Sequence, residues 1–394
     1  MIRYKTLCIL GRQPALGVAE LESLYGADNL EPADGGALLD VAAADINFEH
    51  LGGVIKTARI LTTLPSTDWP SALNYLKKAI PEQLVHVEGK LTLGLSVYGV
   101  AVTLDQLNKD ALALKKVVKS TGKPARIVPN KTLTLNSAQV LHNKLTHRGG
   151  WELILFKHGE KTIVAQTLFV QDIEAYGARD QARPKRDARV GMLPPKLAQI
   201  IVNLAVGQPD GDKPMRVLDP FCGTGVILQE AALMGYHALG TDNDPRMVDY
   251  AKQNLKWLFD KHPGLETQVA IELADATSYH WPRFSVVASE TYLGRPLSTL
   301  PPRDKLQGII NDTNTVLRKF LRNLAPQLKT GQRLVLAVPA WRSSSSQLIE
   351  LPLIDQLTDM GYAYLDLKHV RRNQLIYYRE DQVVARQLLR LTKA

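Results

Sequence analysis

Apolar and polar positions alternate in a regular way from Lys196 onward, and this pattern predicts an α/β domain. Short apolar runs predict buried strands at residues 215–218, 238–241, 268–273, 285–289 and 333–338. Helical spacing of apolar residues predicts helices at residues 197–206, 227–234, 247–258, 306–328 and 347–360. Strands that alternate with helices form a parallel, doubly wound sheet. Segments 362–368 and 375–379 predict a β-hairpin, so the last strand should run antiparallel.

The N-terminal half has a mixed α/β pattern in two successive stretches. The first predicts strands at 6–10 and 37–41 and a helix at 14–25, before Gly52-Gly53 interrupts the pattern. The second predicts helices at 69–80, 104–119 and 137–145 and strands at 91–98, 125–129, 151–158 and 161–169. Residues 172–195 are rich in charge and proline and predict an ordered connector, and 343–346 predict a short flexible loop.

Composition narrows the class of protein. The chain has 394 residues, of which 45% are hydrophobic and 22% charged, as in ordinary globular proteins. Its 2 cysteines exclude a disulfide scaffold and a four-cysteine zinc site. No apolar run approaches the ~20 residues that cross a bilayer, and the apolar stretch at the N-terminus is too short for a secretory signal. We therefore expect a cytoplasmic, reduced protein that binds neither membrane nor metal.

The net charge of +9 is concentrated in one window. Residues 111–150 contain no Asp or Glu, whereas residues 1–110 are net acidic. A solvated helix face is one interpretation of such a run. Because the window spans two helices and a loop, a salt-sensitive phosphate-binding surface is the better one. Its candidate RNA-binding residues are Lys115, Lys116, Lys119, Lys123, Arg126, Lys131, Lys144 and Arg148.

The stretch VLDPFCGTG at 217–225 carries the most specific chemistry. A strand that runs through a tight glycine turn into a helix brings backbone N–H groups against a ligand. The spacing fits neither a phosphate-binding P-loop nor the three-glycine dinucleotide loop. Asp219 can receive a cationic amino group, and Asp242 at the end of the next strand can hold ribose hydroxyls. Asp275, with Ala276, ends the third strand, where it can reach an adenine amine.

Each of these residues also has a structural interpretation. Asp219 could cap a helix, Asp242 could form the turn before Pro245, and Asp275 could be an ordinary loop carboxylate. Cys222 is interpreted as a small packing residue rather than a nucleophile, since no histidine lies in an activating motif. The histidines are scattered and show no metal-ligand spacing.

The C-terminal half resembles the class I S-adenosylmethionine-dependent methyltransferases. The whole chain resembles the THUMP-domain RNA methylases (the UPF0020 family), which form N2-methylguanosine at position 10 of tRNA. The segments that carry the resemblance are RQPAL (12–16), AEL (19–21), LGGVIK (51–56), KTLTLNSAQV (131–140), RD (179–180), RPKRD (183–187), GMLPPKLA (191–198) and DPFCGTG (219–225). It implies a ferredoxin-like domain over 1–75, a THUMP domain over 76–170, a linker over 171–195 and a Rossmann-like methyltransferase domain over 196–394.

The same resemblance implies S-adenosylmethionine as cofactor and tRNA as partner, with the THUMP-like segment holding the tRNA acceptor end. A monomer is the working assumption, and the sequence leaves the oligomeric state open. The cofactor-binding residues implied are Met192, Leu193, Pro194, Asp219, Pro220, Phe221, Cys222, Gly223, Gly225, Asp242, Asn243, Asp275 and Ala276. In the connector, Arg183, Lys185, Arg186 and Arg189 either touch RNA phosphates or pair with carboxylates such as Asp180 and Asp187.

The sequence departs from the family pattern after the fourth strand of the C-terminal half. The family carries Asp/Asn-Pro-Pro-aromatic there, which accepts the N–H bonds of an exocyclic amine and stacks on a flipped base. This chain has SETYLGR at 289–295, without either proline. In one register Glu290 is the acceptor and Leu293 takes the stacking position; in the other Ser289 is the acceptor and Tyr292 stacks. We favour Glu290 and Tyr292, and Ser289 and Thr291 complete the candidate catalytic set.

Other interpretations remain open at this corner. Glu290 could form an ion pair with Arg295 or the connector, and Tyr292 could pack in the core. The main hypothesis is a tRNA guanine-N2 methyltransferase that transfers the methyl group directly to a flipped base. The alternatives are an RNA-binding protein of the same fold that has lost the chemistry, and a DNA amino-methyltransferase.

Overall fold

The computed structural model describes residues 3–187, 192–208, 215–343 and 347–394, which form two compact units. The first unit comprises residues 3–12, Asp28–Glu49 and Val54–Ala175. The second comprises Gln13–Ala27, His50–Gly53 and Tyr176–Ala394. Helix α1 (Pro14–Tyr25) therefore belongs with the C-terminal half, although it is close to the N-terminus in sequence. In the described part of the chain, no helix has the length and apolar character needed to span a membrane.

The first unit is one mixed sheet of eight strands with helices packed on it. The strands are β1 (Thr6–Leu10), β2 (Leu30–Ala33), β3 (Gly36–Leu39), β4 (Val54–Leu64), β5 (Leu91–Tyr98), β6 (Ala125–Ile127), β7 (Gly150–His158) and β8 (Lys161–Val170), in the order β2-β3-β1-β4-β8-β7-β5-β6. The helices are α2 (Trp69–Gln83), α3 (Leu104–Ser120) and α4 (Ser137–His142). Strand β5 runs parallel to β6 and β7, and the other pairs are antiparallel. The division of this region at residue 75 stays a prediction.

Strand β4 joins the two halves of that sheet, and the sequence pattern did not reveal it. Its pairing with β8 shifts register between Thr57 and Ala58 and again between Ile60 and Thr62. Such bulges interrupt the two-residue alternation by which strands are recognised. Lys56 on β4 is buried, and it forms an ion pair with Glu152 and donates to the carbonyl of Leu135 at 2.7 Å.

The second unit contains a nine-stranded sheet. Its strands are β9 (Arg216–Asp219), β10 (His237–Asp242), β11 (Val269–Leu273), β12 (Val286–Glu290), β13 (Arg333–Arg342), β14 (Leu348–Ile349), β15 (Tyr362–Tyr364), β16 (Ile376–Tyr377) and β17 (Val384–Lys393). The main order is β11-β10-β9-β12-β13-β17-β15, with β14 on β13 and β16 on β17. Strands β9 to β13 run parallel, and the last strand is antiparallel, as predicted, although it is β17 rather than the predicted segment 375–379. Helix α5 (Ile173–Gln181) begins in the first unit and continues into the second. The other helices of the second unit besides α1 are α6 (Pro195–Val206), α7 (Val226–Leu233), α8 (Pro245–Lys261) and α9 (Arg303–Leu324).

A buried carboxylate holds α1 in the second unit. Glu20 of α1 accepts hydrogen bonds from the N–H groups of Gly52 and Gly53 at 2.9 and 2.8 Å, and from the Asn203 amide of α6 at 2.8 Å. A Cβ atom on Gly52 would lie 2.0 Å from the carbonyl oxygen of Lys196, so no side chain fits there. The two glycines therefore interrupt the strand and helix pattern of the sequence, because the backbone at this point packs closely against a helix.

Two predictions at the C-terminal end are wrong. Segments 362–368 and 375–379 do not form a hairpin with each other, because β15 and β16 each pair with β17. Residues 347–360 do not form a helix but contain β14 and a short 3₁₀ turn over Pro352–Gln356. Pro352 lacks the N–H that a continuing helix needs. Of the predicted loop 343–346, residues 344–346 lie outside the described residues.

Candidate active site

A cavity of about 510 Å³ opens in the second unit where β9, β10 and β12 end. The chain order of the strands reverses between β9 and β12, and ligands of doubly wound sheets bind at such a switch point. The predicted residues that line it are Met192, Leu193, Asp219, Pro220, Phe221, Cys222, Gly223, Asp242, Asn243, Asp275, Ala276, Glu290, Thr291 and Tyr292. The other predicted residues, Pro194, Gly225 and Ser289, are not among the described residues that line it.

The glycine loop connects β9 to α7 by a turn that needs left-handed backbone. Gly223 has φ +50° and Gly225, at the start of α7, has φ +82°. The N–H of Gly225 donates to the carbonyl of Cys222 at 2.7 Å, and the N–H of Cys222 donates to Thr241 at 2.9 Å. A Cβ on Gly225 would approach the Cβ of Ala251 to 3.1 Å. Glycine is thus required at 225 by backbone conformation and by close packing.

Asp242 shapes the loop from the end of β10. One carboxylate oxygen accepts from the N–H of Gly223 at 2.9 Å, and the other accepts from the N–H of Asp244 at 3.0 Å. Burial raises the pKa of Asp242, and the hydrogen bonds from Asp244 and Gly223 oppose that rise. The carboxylate is therefore oriented at the wall of the cavity before any ligand binds.

Asp219 is the most deeply buried carboxylate of the site, at 1% exposure. It accepts from the Ser289 hydroxyl at 2.6 Å and from the N–H of Phe221 at 3.3 Å. Burial, with smaller contributions from Asp242 and Glu290, raises the pKa of Asp219 to about 8. Ser289 is thus placed as a donor to Asp219.

The raised pKa predicts a pH-dependent cost in stability. Below about pH 4 Asp219 is neutral in both the folded and the unfolded chain. Stability falls as the pH rises from about 4 to about 8, because only the unfolded chain ionises there, and the loss is complete above pH 8. We expect Asp219→Asn to raise the free energy of unfolding by on the order of 1–3 kcal/mol at pH 9 and by less at pH 6. Urea unfolding without ligand at the two pH values measures the difference. Asp249→Asn, on the exposed face of α8, is the control and should show no such trend.

Asp275 and Ala276 form the opposite wall. Asp275 is exposed, and its carboxylate accepts from the N–H of Thr277 at 2.8 Å, which stabilises the turn after β11. Ala276 is buried, and its carbonyl accepts from the amide of Asn323 at 3.1 Å. Contact of these residues with an adenine ring stays a prediction.

Glu290, Thr291 and Tyr292 form the corner at the end of β12. Glu290 pairs with Arg386 of β17, Nε to Oε1 at 2.5 Å, rather than with Arg295 or the connector. The Thr291 hydroxyl donates to the carbonyl of Ala337 at 3.2 Å. Tyr292 is 42% exposed and lines the cavity, so it is not a core residue.

Asn254 of α8 ties the connector to the glycine loop, and the sequence pattern gave no sign of it. Its side-chain amide N–H groups donate to the carbonyls of Lys185 and Thr224, both at 2.9 Å. Its oxygen accepts from the N–H of Lys185 at 2.9 Å. Asn254 is fully buried, so both segments depend on one side chain.

We expect Asn254→Ala to weaken cofactor binding by about 10-fold, because the loop and the connector lose their common partner. Isothermal titration calorimetry measures this loss. Gln253→Ala, the exposed neighbour on α8, is the matched control and should bind as the wild type does. Equal affinity in the Asn254 and Gln253 variants would contradict the role given to Asn254.

The cavity is strongly acidic although the chain is basic. Its lining contains the carboxylates of Asp187, Asp219, Asp242, Asp244, Asp275, Glu290 and Asp312. Among the described residues that line it there is no Lys, Arg or His. Within the described chain no group of three His, Cys, Asp or Glu side chains could hold a metal ion. This lining fits an organic cation, and S-adenosylmethionine carries both a sulfonium and an ammonium group.

The predicted RNA-binding residues separate into two sets. In the first unit, Lys116, Lys119, Arg126, Lys131, Lys144 and Arg148 are exposed, and Lys115 and Lys123 are partly buried. Lys123 donates to the carbonyls of Leu84 and Val87, and Arg148 pairs with Glu88 at 2.9 Å. The remaining members lie on α3 and on the segment that follows, and all of them except Lys115 are exposed.

In the connector, only part of the predicted basic set faces solvent. Arg186 is exposed, whereas Arg183 is 3% exposed with its guanidinium 3.9 Å from Asp180. Burial lowers the pKa of Arg183. The structure therefore does not present Arg183 to a phosphate, which corrects its assignment as an RNA contact. Arg189 lies outside the described residues.

The parallel sheet, the glycine loop and the acidic cavity at the switch point define a Rossmann-like domain that takes a nucleoside-containing ligand. Residues 183–348 match the model of the family described as UPF0020, RMKL-like, methyltransferase domain. Over these residues the chain is therefore similar to the methyltransferase domain of that family, which agrees with the resemblance found in the sequence.

Individual relatives agree with this assignment over parts of the chain. A tRNA (guanine(10)-N2)-dimethyltransferase of Methanothermobacter thermautotrophicus is 49% identical over 79 residues, which are 20% of this chain and 22% of that protein. The protein of the same name from Methanocaldococcus jannaschii is 36% identical over 99 residues, 24% of this chain and 27% of that one. The chain thus spans less than a third of the length of these curated relatives. The crystal structure of TrmN from Thermus thermophilus has a TM-score of 0.52 at 19% identity, covers 99% of this chain and 100% of its own, and supports the α/β fold.

Proposed function

We propose that this protein is an S-adenosylmethionine-dependent tRNA methyltransferase that methylates the N2 amine of a guanine, at position 10 of tRNA. The observation that carries the proposal is the acidic cavity at the switch point, with Glu290 and Tyr292 at the end of β12. The match to the UPF0020 methyltransferase family supports the reaction type. The names of the partial relatives support tRNA guanine as the substrate.

The chain's own residues would hold the cofactor as follows. Asp242 accepts hydrogen bonds from the ribose hydroxyls, the loop around Gly223 contacts the methionine end, and Asp219, ionised once the cationic ligand lowers its pKa, offsets the positive charge there. Asp275 and Ala276 border the adenine, and Met192 and Leu193 close the cavity from the connector. When bound, S-adenosylmethionine supplies a methyl group on a cationic sulfur: an amine nitrogen gains the N–C bond, the C–S electron pair stays on sulfur, and the nitrogen releases one proton.

Glu290 and Tyr292 would act on the target base. The Oε2 atom of Glu290 accepts one N–H bond of the amine and is placed to receive the released proton. The exposed ring of Tyr292 stacks on a base that has been flipped from the RNA helix. A base must enter without its phosphates, because the acidic lining repels them.

The lysines of α3 would bind the tRNA backbone. We expect the triple variant Lys115→Gln, Lys116→Gln, Lys119→Gln to bind tRNA about 10-fold more weakly at moderate salt. The slope of log affinity against log salt should fall by up to about three, one for each lost phosphate contact. Filter binding over a salt series measures both quantities. A triple variant of Lys252, Lys256 and Lys261 on α8 is the control, and an equal loss there would contradict a specific surface.

Methyl transfer to defined transcripts tests the proposed function. The protein is incubated with the labelled cofactor and with tRNA transcripts that carry guanine or adenine at position 10, and nucleosides are then separated. Labelled N2-methylguanosine from the guanine transcript alone is the expected result. No methylated nucleoside from any tRNA, with calorimetry showing that tRNA still binds, would instead favour an RNA-binding protein without methyltransferase activity. The missing proline pair after Glu290 is what favours that second function.

A further inference from the structure

The carboxylate that ends β12 is held from two strands away. Arg386 lies on β17 opposite Pro339 of β13, and Glu290 lies on β12 opposite Ala337 of the same strand. The guanidinium therefore reaches across β13 to bind Glu290. Arg386 is 4% exposed and the Glu290 side chain 15% exposed, so this ion pair is nearly removed from water.

The pair leaves one side of the carboxylate available. Oε1 is bound to Arg386 Nε, and no hydrogen bond to Oε2 occurs among residues 3–187, 192–208, 215–343 and 347–394. Oε2 is not one of the buried side-chain atoms that lack a hydrogen-bond partner. The Glu290 side chain lines the cavity. When one carboxylate oxygen is fixed by a guanidinium, the orientation of the other oxygen is fixed as well. That second oxygen can then accept a hydrogen bond from an amine in the cavity.

Burial opposes the ionisation of Glu290, whereas Arg386 favours it. Arg386 of β17 contacts Glu290, Asp219 of β9 interacts with it electrostatically, and Asp187, Asp242, Asp244, Asp275 and Asp312 line the same cavity. Burial raises the pKa of Glu290, and Arg386 is the group that lowers it. Removing the guanidinium would leave a buried carboxylate among other carboxylates.

We propose that Arg386 is a positioning residue of the methyl-transfer site, which fixes the Glu290 carboxylate from β17 and directs its Oε2 atom at an acceptor that bears an N–H group. This rests on the proposed function. It names an amine with a hydrogen to donate as the chemical class of acceptor, and it explains how a glutamate replaces the shorter Asp/Asn of the related motif. The longer side chain is restrained by a guanidinium from β17.

Steady-state kinetics of four variants test the proposal. Arg386→Gln should lower kcat for tRNA about 10²-fold, with the KM for tRNA and the affinity for S-adenosylmethionine changed less than about threefold. Its activity should recover at higher pH, because a higher pH is then needed to ionise Glu290. Arg386→Lys should restore part of the loss. The double variant Glu290→Gln, Arg386→Gln should be no slower than Glu290→Gln alone, since Arg386 acts through Glu290. Additive losses with an unchanged pH profile would overturn the proposal.

A second readout does not depend on activity. Carbodiimide modifies protonated carboxyl groups, so mass spectrometry of the Glu290 peptide over pH 5–9 reports its ionisation. The labelling midpoint should rise by at least about one pH unit in Arg386→Gln and by less in Arg386→Lys. If no tRNA is methylated but this shift occurs, the proposed function fails while the action of Arg386 on Glu290 stands. If tRNA is methylated but the midpoint and kcat are unchanged, the inference about Arg386 fails. The double variant removes both buried charges and serves as the folding control, since it leaves no unpaired ion.

Discussion

Asp242→Ala should weaken the binding of S-adenosylmethionine by about 10²–10³-fold, or roughly 3–4 kcal/mol. The change removes the acceptor for the N–H of Gly223 and for that of Asp244, so the loop loses the side chain that shapes it. It also removes the carboxylate that would hold the ribose hydroxyls. Calorimetric titration of the cofactor into each variant measures the effect.

Two further variants separate these contributions. Asp242→Asn keeps an acceptor for Gly223 but lacks the negative charge, so its loss should be intermediate. Asp260→Ala removes an exposed carboxylate of the same unit that pairs with Lys256, and it should leave the affinity unchanged. Asp242→Ala binding within about threefold of the wild type would show that this cavity is not the cofactor site.

Gly225→Ala should abolish measurable cofactor binding and should also destabilise the second unit. The backbone at 225 has φ +82°, which costs an alanine about 1–2 kcal/mol. The new Cβ would lie 3.1 Å from the Cβ of Ala251, so α7 and α8 must also move apart. Since α7 begins at the glycine loop, this movement displaces the N–H groups that face the cavity. Thermal unfolding and cofactor titration are measured on the same preparation.

Gly235→Ala is the matched control for backbone strain. Gly235 has φ +83°, and a Cβ there would meet nothing within 4 Å. It lies after α7, at the opposite end of the helix from the cavity. We expect this variant to be less stable than the wild type but to bind the cofactor normally. If both variants lose binding equally, general destabilisation rather than loop geometry is responsible.

The regular elements of the chain could be predicted where local pattern and packing agree. Strand β1 and helix α1 have the predicted bounds, and the strands that end at Asp219 and Asp242 were placed within a residue or two. Strand β4 was missed because its bulges break the alternation. The last strands were mispaired because β17 takes partners on both sides, which local spacing does not encode.

The cavity residues could be predicted from their positions along the chain. Asp219, Asp242 and Glu290 each end a parallel strand, and such ends meet at one edge of the sheet. Their chemical states could not be predicted in this way. Ser289 looked like a possible acceptor, but it donates to Asp219 from a buried position. The roles of all these residues toward a ligand stay predictions.

By itself, the sequence determined the α/β order of the second unit, the glycine loop and the acidic strand ends. These depend on periodicity and on residues a few positions apart, which act through local backbone geometry. Only the tertiary structure decided which charges are neutralised and which segments are held together. Arg386 meets Glu290, Asn254 meets Lys185, and Glu20 of α1 meets Asn203, all across long separations in sequence. Buried polar groups must find partners wherever the fold brings them close, and the linear pattern does not specify those partners.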